Sequence, residues 1–288
     1  MQVLTSVQAV RHACKALRQS APERTIGLVP TMGALHDGHI SLVRAARQSC
    51  DLTVVTVFVN PLQFGASEDL SKYPRTFEQD VAMLESEGVD LLFAPTADEM
   101  YPTPTQTWVD VPALGGRLDG GSRPGHFQGV ATVVSKLFHI VQPDRAFFGQ
   151  KDAAQVAVLR AMVRDLNFDL ELVVCPTVRE SDGLAMSSRN RYLSTEERAT
   201  ALALSRSLRR VEHAFADGQR SVSVLRDMLL DELHAASGIR VDYAEIVHPD
   251  TLEPLTEVHA TTLVAVAAWV GTTRLIDNIL LSVDGPKS

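Results

Sequence analysis

A chain of 288 residues, 45% hydrophobic and 22% charged, has an ordinary globular composition and enough apolar material for two domains. A formal net charge of -8 argues against nonspecific nucleic-acid binding, although a nucleotide needs only a local positive pocket. Three widely spaced cysteines, Cys14, Cys50 and Cys175, form no CxxC pair and read as buried free thiols rather than a disulfide framework or zinc site. The first 20 residues lack an apolar signal core and no run approaches a membrane span, so the expectation is a cytoplasmic protein without a membrane partner.

Residues 5–19 repeat apolar groups at helical spacing (Val7, Val10, Ala13, Leu17) and predict an opening helix. Residues 26–29 form a short apolar strand. After it comes Pro30-Thr31-Met32-Gly33-Ala34-Leu35-His36-Asp37-Gly38-His39, and then a helix with Ile40, Val43, Ala46 and Cys50 on one face and Asp37 as its cap. Residues 53–59, nearly all apolar and β-branched, suit a central parallel strand covered on both faces. Asn60-Pro61 ends it, and a long polar loop runs over residues 62–75. Thr76-Phe77-Glu78-Gln79 matches a capping box, followed by Phe77, Val81 and Leu84 on one helical face, then a strand over 89–93.

Residues 94–126 read as irregular apart from a short strand over 107–111. A helix over 127–141, a strand over 145–148, a helix over 153–166 and a strand over 170–174 follow. This alternation predicts an α/β fold, a Rossmann-like doubly wound parallel sheet, with ligands at the carboxyl ends of its strands. Residues 175–190 form a connector. Beyond it, two amphipathic helices (195–217, 222–236) and three strands (240–247, 261–270, 273–282) predict a smaller α+β domain. The division is residues 1–176 and 177–288.

Five segments carry candidate chemistry. A strand that turns through Gly33 and Gly38 into a helix presents free backbone N–H groups and the positive end of a helix dipole, which suits a phosphate. His36 and His39 add donors there, placed to stabilise charge on a phosphorus and a departing pyrophosphate. As a metal site the pair lacks a third ligand. Gln63, at the end of a central strand, is either a loop amide or a two-way hydrogen-bonding group for a small polar ligand. Arg123-Pro-Gly-His126-Phe-Gln-Gly129 either lines a ligand or packs the start of a helix. In Gly149-Gln150-Lys151-Asp152, Lys151 either reaches a phosphate or pairs with Asp152; Gln155 is one turn on, along the same helical side. Met186-Ser187-Ser188-Arg189 either closes over phosphates as a mobile loop after the Ser181-Asp182-Gly183 turn, or is a polar linker.

Taken together, PTMGALHDGH, FVNPLQF, YPRT, RPGHFQGVATVVSKLF, FFGQKDAAQ and TVRESDGLAMSSRNRYL resemble the pantothenate synthetase (pantoate–β-alanine ligase) family, in that family's order and over most of residues 26–193. The first and last also resemble the HIGH and KMSKS elements of the wider nucleotidylyltransferase superfamily. The resemblance implies ATP-dependent joining of pantoate to β-alanine through a pantoyl adenylate, with Mg2+ accompanying the ATP, and a homodimer. By resemblance, Met32, Gly33, Ala34, Leu35, His36, Asp37, Gly38 and His39 line the ATP site, with His39 as proton donor and His36 beside it. Gly149, Gln150, Lys151, Asp152, Val178, Met186, Ser187, Ser188 and Arg189 complete that site, with Lys151 counted as catalytic. Gln63 and Gln155 hold pantoate, Gln63 also lies near β-alanine, and the C-terminal domain closes over the adenylate. Gln150, where the family often carries Glu, and Ala153-Ala154, where it carries a bulkier pair, are departures that touch only pocket shape. Another nucleotidylyltransferase of the superfamily is the alternative, but it would want cations where Gln63 and Gln155 stand. A non-catalytic nucleotide-binding module is the rival from another class.

Overall fold

The computed structural model describes residues 1–65, 70 and 73–283; residues 66–69, 71 and 72 of the polar loop lie outside the described residues, as do 284–288. The chain divides into two compact units: residues 1–115, 123–149 and 158–176 form the first, and 116–122, 150–157 and 177–288 the second.

The first unit holds a six-stranded sheet of β1 (Gln2–Leu4), β2 (Ile26–Thr31), β3 (Leu52–Val57), β4 (Leu91–Phe93), β5 (Arg145–Gly149) and β6 (Glu171–Cys175), in the order β1-β4-β3-β2-β5-β6. Every pairing is parallel. The strand order reverses between β2 and β5, the doubly wound pattern whose switch point favours ligands. Strand β3 runs Leu-Thr-Val-Val-Thr-Val and buries four consecutive residues, as a strand covered on both faces must. Strand β2 runs two residues past the expected end and takes in Pro30. That proline lies beyond the last β2–β5 pair, Leu28↔Ala146, so its missing N–H removes no bond there.

Helices α1 (Val7–Ser20), α2 (Asp37–Ser49), α3 (Phe77–Ser86), α7 (His126–Val141) and α8 (Ala153–Asp165) alternate with the strands. One core beneath α2 joins Val29, Ile40, Val43, Val55, Leu84 and Leu92. Between β4 and α7 lie the one-turn helices α4 (Ala97–Met100), α5 (Pro112–Gly115) and α6 (Asp119–Ser122). The strand expected over 107–111 is absent. Val109 spends its N–H on the Thr132 hydroxyl of α7, 3.0 Å away, instead of on a ladder.

Four other local readings change. Strand β1, unread in the sequence, pairs with β4 in the register Gln2↔Leu91 to Leu4↔Phe93. The expected Thr76 capping box does not form: its hydroxyl donates to Asp80, 3.2 Å away. Phe77, placed on the apolar face, is exposed, and that face belongs to Asp80 and Leu84. Cys50 is half-buried, while Cys14 and Cys175 are the buried free thiols expected.

The second unit packs α9 (Thr195–Ala216) and α10 (Val222–Ala235) on an antiparallel sheet of β7 (Ile239–Val247), β8 (Thr262–Val270) and β9 (Thr273–Leu281). Ser194 caps α9 in a reciprocal box: its hydroxyl accepts from Glu197 N–H at 3.2 Å, and its own N–H donates to the Glu197 carboxylate at 2.8 Å. Leu204, Leu208, Leu225, Leu229, Val264 and Val266 form the core. Among the described residues no helix is long and apolar enough to cross a membrane.

Candidate active site

The turn from β2 into α2 is built by two left-handed residues in succession, Gly33 (φ +82°) and Ala34 (φ +51°). The first suits glycine; the second is unusual for alanine and needs support. Asp80, 2% exposed on α3, supplies it. Its two carboxylate oxygens accept the N–H groups of Ala34 (3.0 Å) and Leu35 (2.8 Å). A Cβ on Gly33 would sit 3.0 Å from the same carboxylate. From the strand side, the Thr31 hydroxyl donates to the Thr56 carbonyl (2.6 Å) and accepts the Gly33 N–H (3.2 Å).

His36, not Asp37, is the N-cap of α2; Asp37 is the first helical residue and is exposed. His36 Nδ1 accepts the Gly38 N–H at 3.2 Å, and His39 Nδ1 accepts the His36 N–H at 3.3 Å. A backbone amide can only donate, so both rings accept at Nδ1 and carry the neutral form's proton at Nε2. Their centroids lie 4.1 Å apart. Two Nε2–H donors at a helix N-terminus suit an anion that gains charge during reaction.

Gln63 follows β3 in a 3-10 turn, Pro61–Gln63, and is 8% exposed. Its amide nitrogen donates to Met32 Sδ at 2.9 Å, which brings Met32 and Gln63 together. Its Oε1 accepts from Asn60 Nδ2 at 3.1 Å. Asn60 is 1% exposed and is held in turn by the Gly129 carbonyl (3.1 Å) and by the Tyr101 hydroxyl (2.8 Å), whose pKa burial raises. His126 Nδ1 lies 2.8 Å from the Gln63 carbonyl and Nε2 lies 2.8 Å from an Arg123 nitrogen. Because the carbonyl only accepts and the guanidinium only donates, this ring is neutral with its proton on Nδ1, opposite to His36 and His39. His126 therefore fixes the backbone of Gln63. Gly129 explains the close fit of α7 here: a Cβ on it would overlap the Leu62 carbonyl and lie 2.7 Å from Gln63 Cα.

Within the second unit, Lys151 lies in a 3-10 turn, Gln150–Asp152, that opens α8. Its ammonium is 3.9 Å from Asp152, a long pairing, and its side chain is 21% exposed. A small pocket joins Lys151 to Leu184, Ser187, Arg189, Asn190 and Arg274. Residues 178–186 form a hairpin: Met186 N–H donates to the Val178 carbonyl at 2.9 Å, and Arg179 bridges Ala185. Rather than a loose loop, it is tied down by Arg198, which reaches Glu180 and Asp182 at 2.7 Å, and by Asn190, which donates to Glu180 (2.6 Å) and the Ala185 carbonyl (3.0 Å). The Ser187 hydroxyl accepts the Arg189 N–H at 3.3 Å and caps the 3-10 turn Ser188–Tyr192. Gln155 stands half-buried one turn beyond Lys151.

The first unit thus pairs Met32 with Gln63 and His36 with His39, and the second gathers Lys151, Ser187 and Arg189. Sequence reasoning passed over Asp80, Asn60 and Tyr101. Asn60 lies inside the FVNPLQF motif without a role of its own there; Asp80 and Tyr101 look like ordinary surface residues until the fold buries the first and half-buries the second. Among the described residues no cluster of three or more His, Cys, Asp or Glu side chains could hold a metal ion.

The family described as Pantoate-beta-alanine ligase matches residues 2–280. A pantothenate synthetase of Acidobacterium capsulatum is 62% identical over 258 residues, 90% of this chain and 86% of the relative. The crystal structure of pantothenate synthetase from Thermus thermophilus superposes with a TM-score of 0.91 at 48% identity, covering 97% of this chain and 99% of that one. The pantoate-beta-alanine ligase of Francisella tularensis, complexed with beta-gamma ATP and beta-alanine, gives 0.79 at 32% identity and 97% coverage of both chains. With the family spanning both the His36–His39 turn and the Lys151–Arg189 region, this chain belongs to the pantoate–β-alanine ligases.

Proposed function

We propose that the chain joins pantoate to β-alanine in two steps on ATP. Pantoate's carboxylate attacks the α-phosphorus, giving pantoyl adenylate and pyrophosphate; the amine of β-alanine then attacks the acyl carbon and releases AMP as pantothenate forms. Adenylation is needed because a free carboxylate is a poor electrophile, and AMP leaves where oxide cannot. The single observation that carries the reading is the family match over residues 2–280, which takes in every motif assigned a role.

In the first unit, Met32 to His39 take the nucleotide. His39 Nε2–H donates a hydrogen bond to the charge that develops on the departing pyrophosphate, and His36 Nε2–H faces the phosphates beside it. Gln63 holds pantoate's hydroxyl and carboxylate and borders β-alanine; its contacts with Met32 and Asn60 are neutral, as a hydroxy-acid pocket wants. Lys151, Ser187, Ser188 and Arg189 neutralise the phosphates, Gly149 to Asp152, Val178 and Met186 line the nucleotide, and Gln155 serves pantoate. Closure of the C-terminal domain (177–288) keeps the adenylate from water. Mg2+ accompanies the ATP. The enzyme works as a cytoplasmic homodimer.

Pyrophosphate release from ATP and pantoate, measured with and without β-alanine, tests the proposal. Pyrophosphate should appear with pantoate alone, and pantothenate only when β-alanine is added. No turnover with pantoate, together with turnover of a phosphorylated alcohol, would reassign the chain to another nucleotidylyltransferase activity.

A further inference from the structure

Strand β9 carries two adjacent buried polar residues, Asp277 (2% exposed) and Asn278 (4%). Neighbouring strand residues face opposite sides of a sheet. Each of these grips a different segment. Asn278 Nδ2 donates to the carbonyls of Gln150 (3.0 Å) and Lys151 (2.9 Å), and its Oδ1 accepts from Gln150 Nε2 (3.0 Å). The whole amide is thereby spent on the turn that carries Lys151. Asp277 takes both Arg179 guanidinium nitrogens, at 2.6 and 3.0 Å. Arg179 adds a bond to the Gly183 carbonyl (3.1 Å), so this fork holds the hairpin that leads into Met186–Arg189. Asp277 also accepts the Asn278 N–H at 2.8 Å, which ties the two grips together.

We infer that the Asp277-Asn278 pair is a positioning element for ATP activation, fixing the Lys151 turn on one side and the Val178–Arg189 segment on the other. The inference rests on the assignment of Lys151 and Ser187–Arg189 to the phosphates. Neither residue touches substrate; each acts through the segment it holds. The residue types are dictated by their partners. Two carbonyl oxygens within 3.0 Å of one atom require a donor, and an aspartate at 278 would place an anion against both. A bidentate guanidinium requires a carboxylate at 277. Lys151 has several rotatable bonds, so a fixed backbone is what limits where its ammonium can go, and an offset of about 1 Å in a reacting geometry costs on the order of a hundredfold in rate.

A double-mutant cycle separates positioning from mere folding. Asn278→Asp should lower kcat/KM for ATP in pyrophosphate release by about 10- to 100-fold. It should leave the reaction of supplied pantoyl adenylate with β-alanine within about threefold, because that step needs no grip on pyrophosphate. In a Lys151→Ala background the same substitution should cost less than about threefold, since its effect passes through Lys151. Unchanged ATP dependence in Asn278→Asp, equal loss in both half-reactions, or the full penalty repeated in the Lys151→Ala background would overturn the inference. Lys151→Ala alone tests the underlying assignment: near-normal activity there defeats the role of Lys151 itself, a different result from an additive cycle. Thermal melting checks the fold, and Asn278→Ser, which removes the amide without adding charge, replaces Asn278→Asp in the cycle if the latter does not fold.

Discussion

Replacing Asp80 with Ala is the sharpest test of how the nucleotide turn is built. The substitution removes the acceptors for two backbone N–H groups, Ala34 and Leu35, on residues buried at 1% and 7% exposure. A buried donor left without a partner costs about 1–3 kcal/mol, so the pair predicts a loss of about 2–6 kcal/mol. A domain of ordinary stability, about 5–15 kcal/mol, survives that loss but with a large shift in its urea midpoint. The damage is local as well as global. Ala34 at φ +51° lacks glycine's freedom, and without Asp80 the turn relaxes away from the geometry that aims His36 and His39. Hydrogen exchange at the Ala34 and Leu35 amides, followed by NMR beside urea unfolding, reads both effects. We predict faster exchange at these two amides than global unfolding accounts for, a lower urea midpoint, and a raised KM for ATP. Asp80→Asn should fall between, because it keeps one acceptor but turns an amide N–H toward the other donor. If exchange at Ala34 and Leu35 and the ATP dependence are both unchanged in Asp80→Ala, the carboxylate does not hold the turn and the reasoning fails.

Further expected outcomes follow from other contacts. Gly129→Ala drives a methyl into the Leu62 carbonyl and should cost about 1–3 kcal/mol of stability while raising the pantoate KM through Gln63; a urea midpoint like that of the parent would contradict this overlap. Lys151→Ala should slow adenylate formation by about 2.7–4 kcal/mol of transition-state stabilisation, as for a lost oxyanion donor, measured as single-turnover pyrophosphate release. Gln155→Ala should raise the pantoate requirement more than the ATP requirement, and the reverse pattern would misplace it. Burial pushes the Cys14 thiol up to about 11, against the opposing pull of Arg18, from a value of 9.0. The unfolded chain therefore loses this proton first, so the stabilisation is complete below pH 9 and is lost as pH rises toward 11. Cys14→Ala should flatten the alkaline limb of stability between those values; an identical limb in both proteins would show that Cys14 does not contribute.

The parallel strands and amphipathic helices were legible because their signals are local: a β-branched run in β3 and apolar groups at helical spacing in α1 and α2. What escaped depends on partners distant in the chain. Three residues at the start, Gln2–Leu4, become a strand only because β4 offers them an edge. Residues 107–111 have strand-like composition but find a helix hydroxyl at Val109 instead of a neighbouring strand. Thr76 carries the pattern of a capping residue, yet the stronger acceptor Asp80 takes its hydroxyl. The candidate site divides in the same way. Gly33, His36, His39, Gln63 and Lys151 stand in recognisable motifs, whereas Asp80, Asn60, Asp277 and Asn278 declare themselves only through burial. Asn278 meets Gln150 across 128 positions of chain, a separation no local pattern encodes.

The shared proton placement in His36 and His39 bears on the role proposed for them. Nδ1 of both His36 and His39 is engaged by a backbone amide, so neither ring can work as a two-ended relay that receives a proton at one nitrogen and delivers it from the other. A neutral ring that lost its Nε2 proton would become an imidazolate, so each ring keeps that proton and acts as a hydrogen-bond donor. On the function proposed above, charge on the departing pyrophosphate would then be met by hydrogen bonds from these rings, and any proton it takes up would come from the surrounding solution.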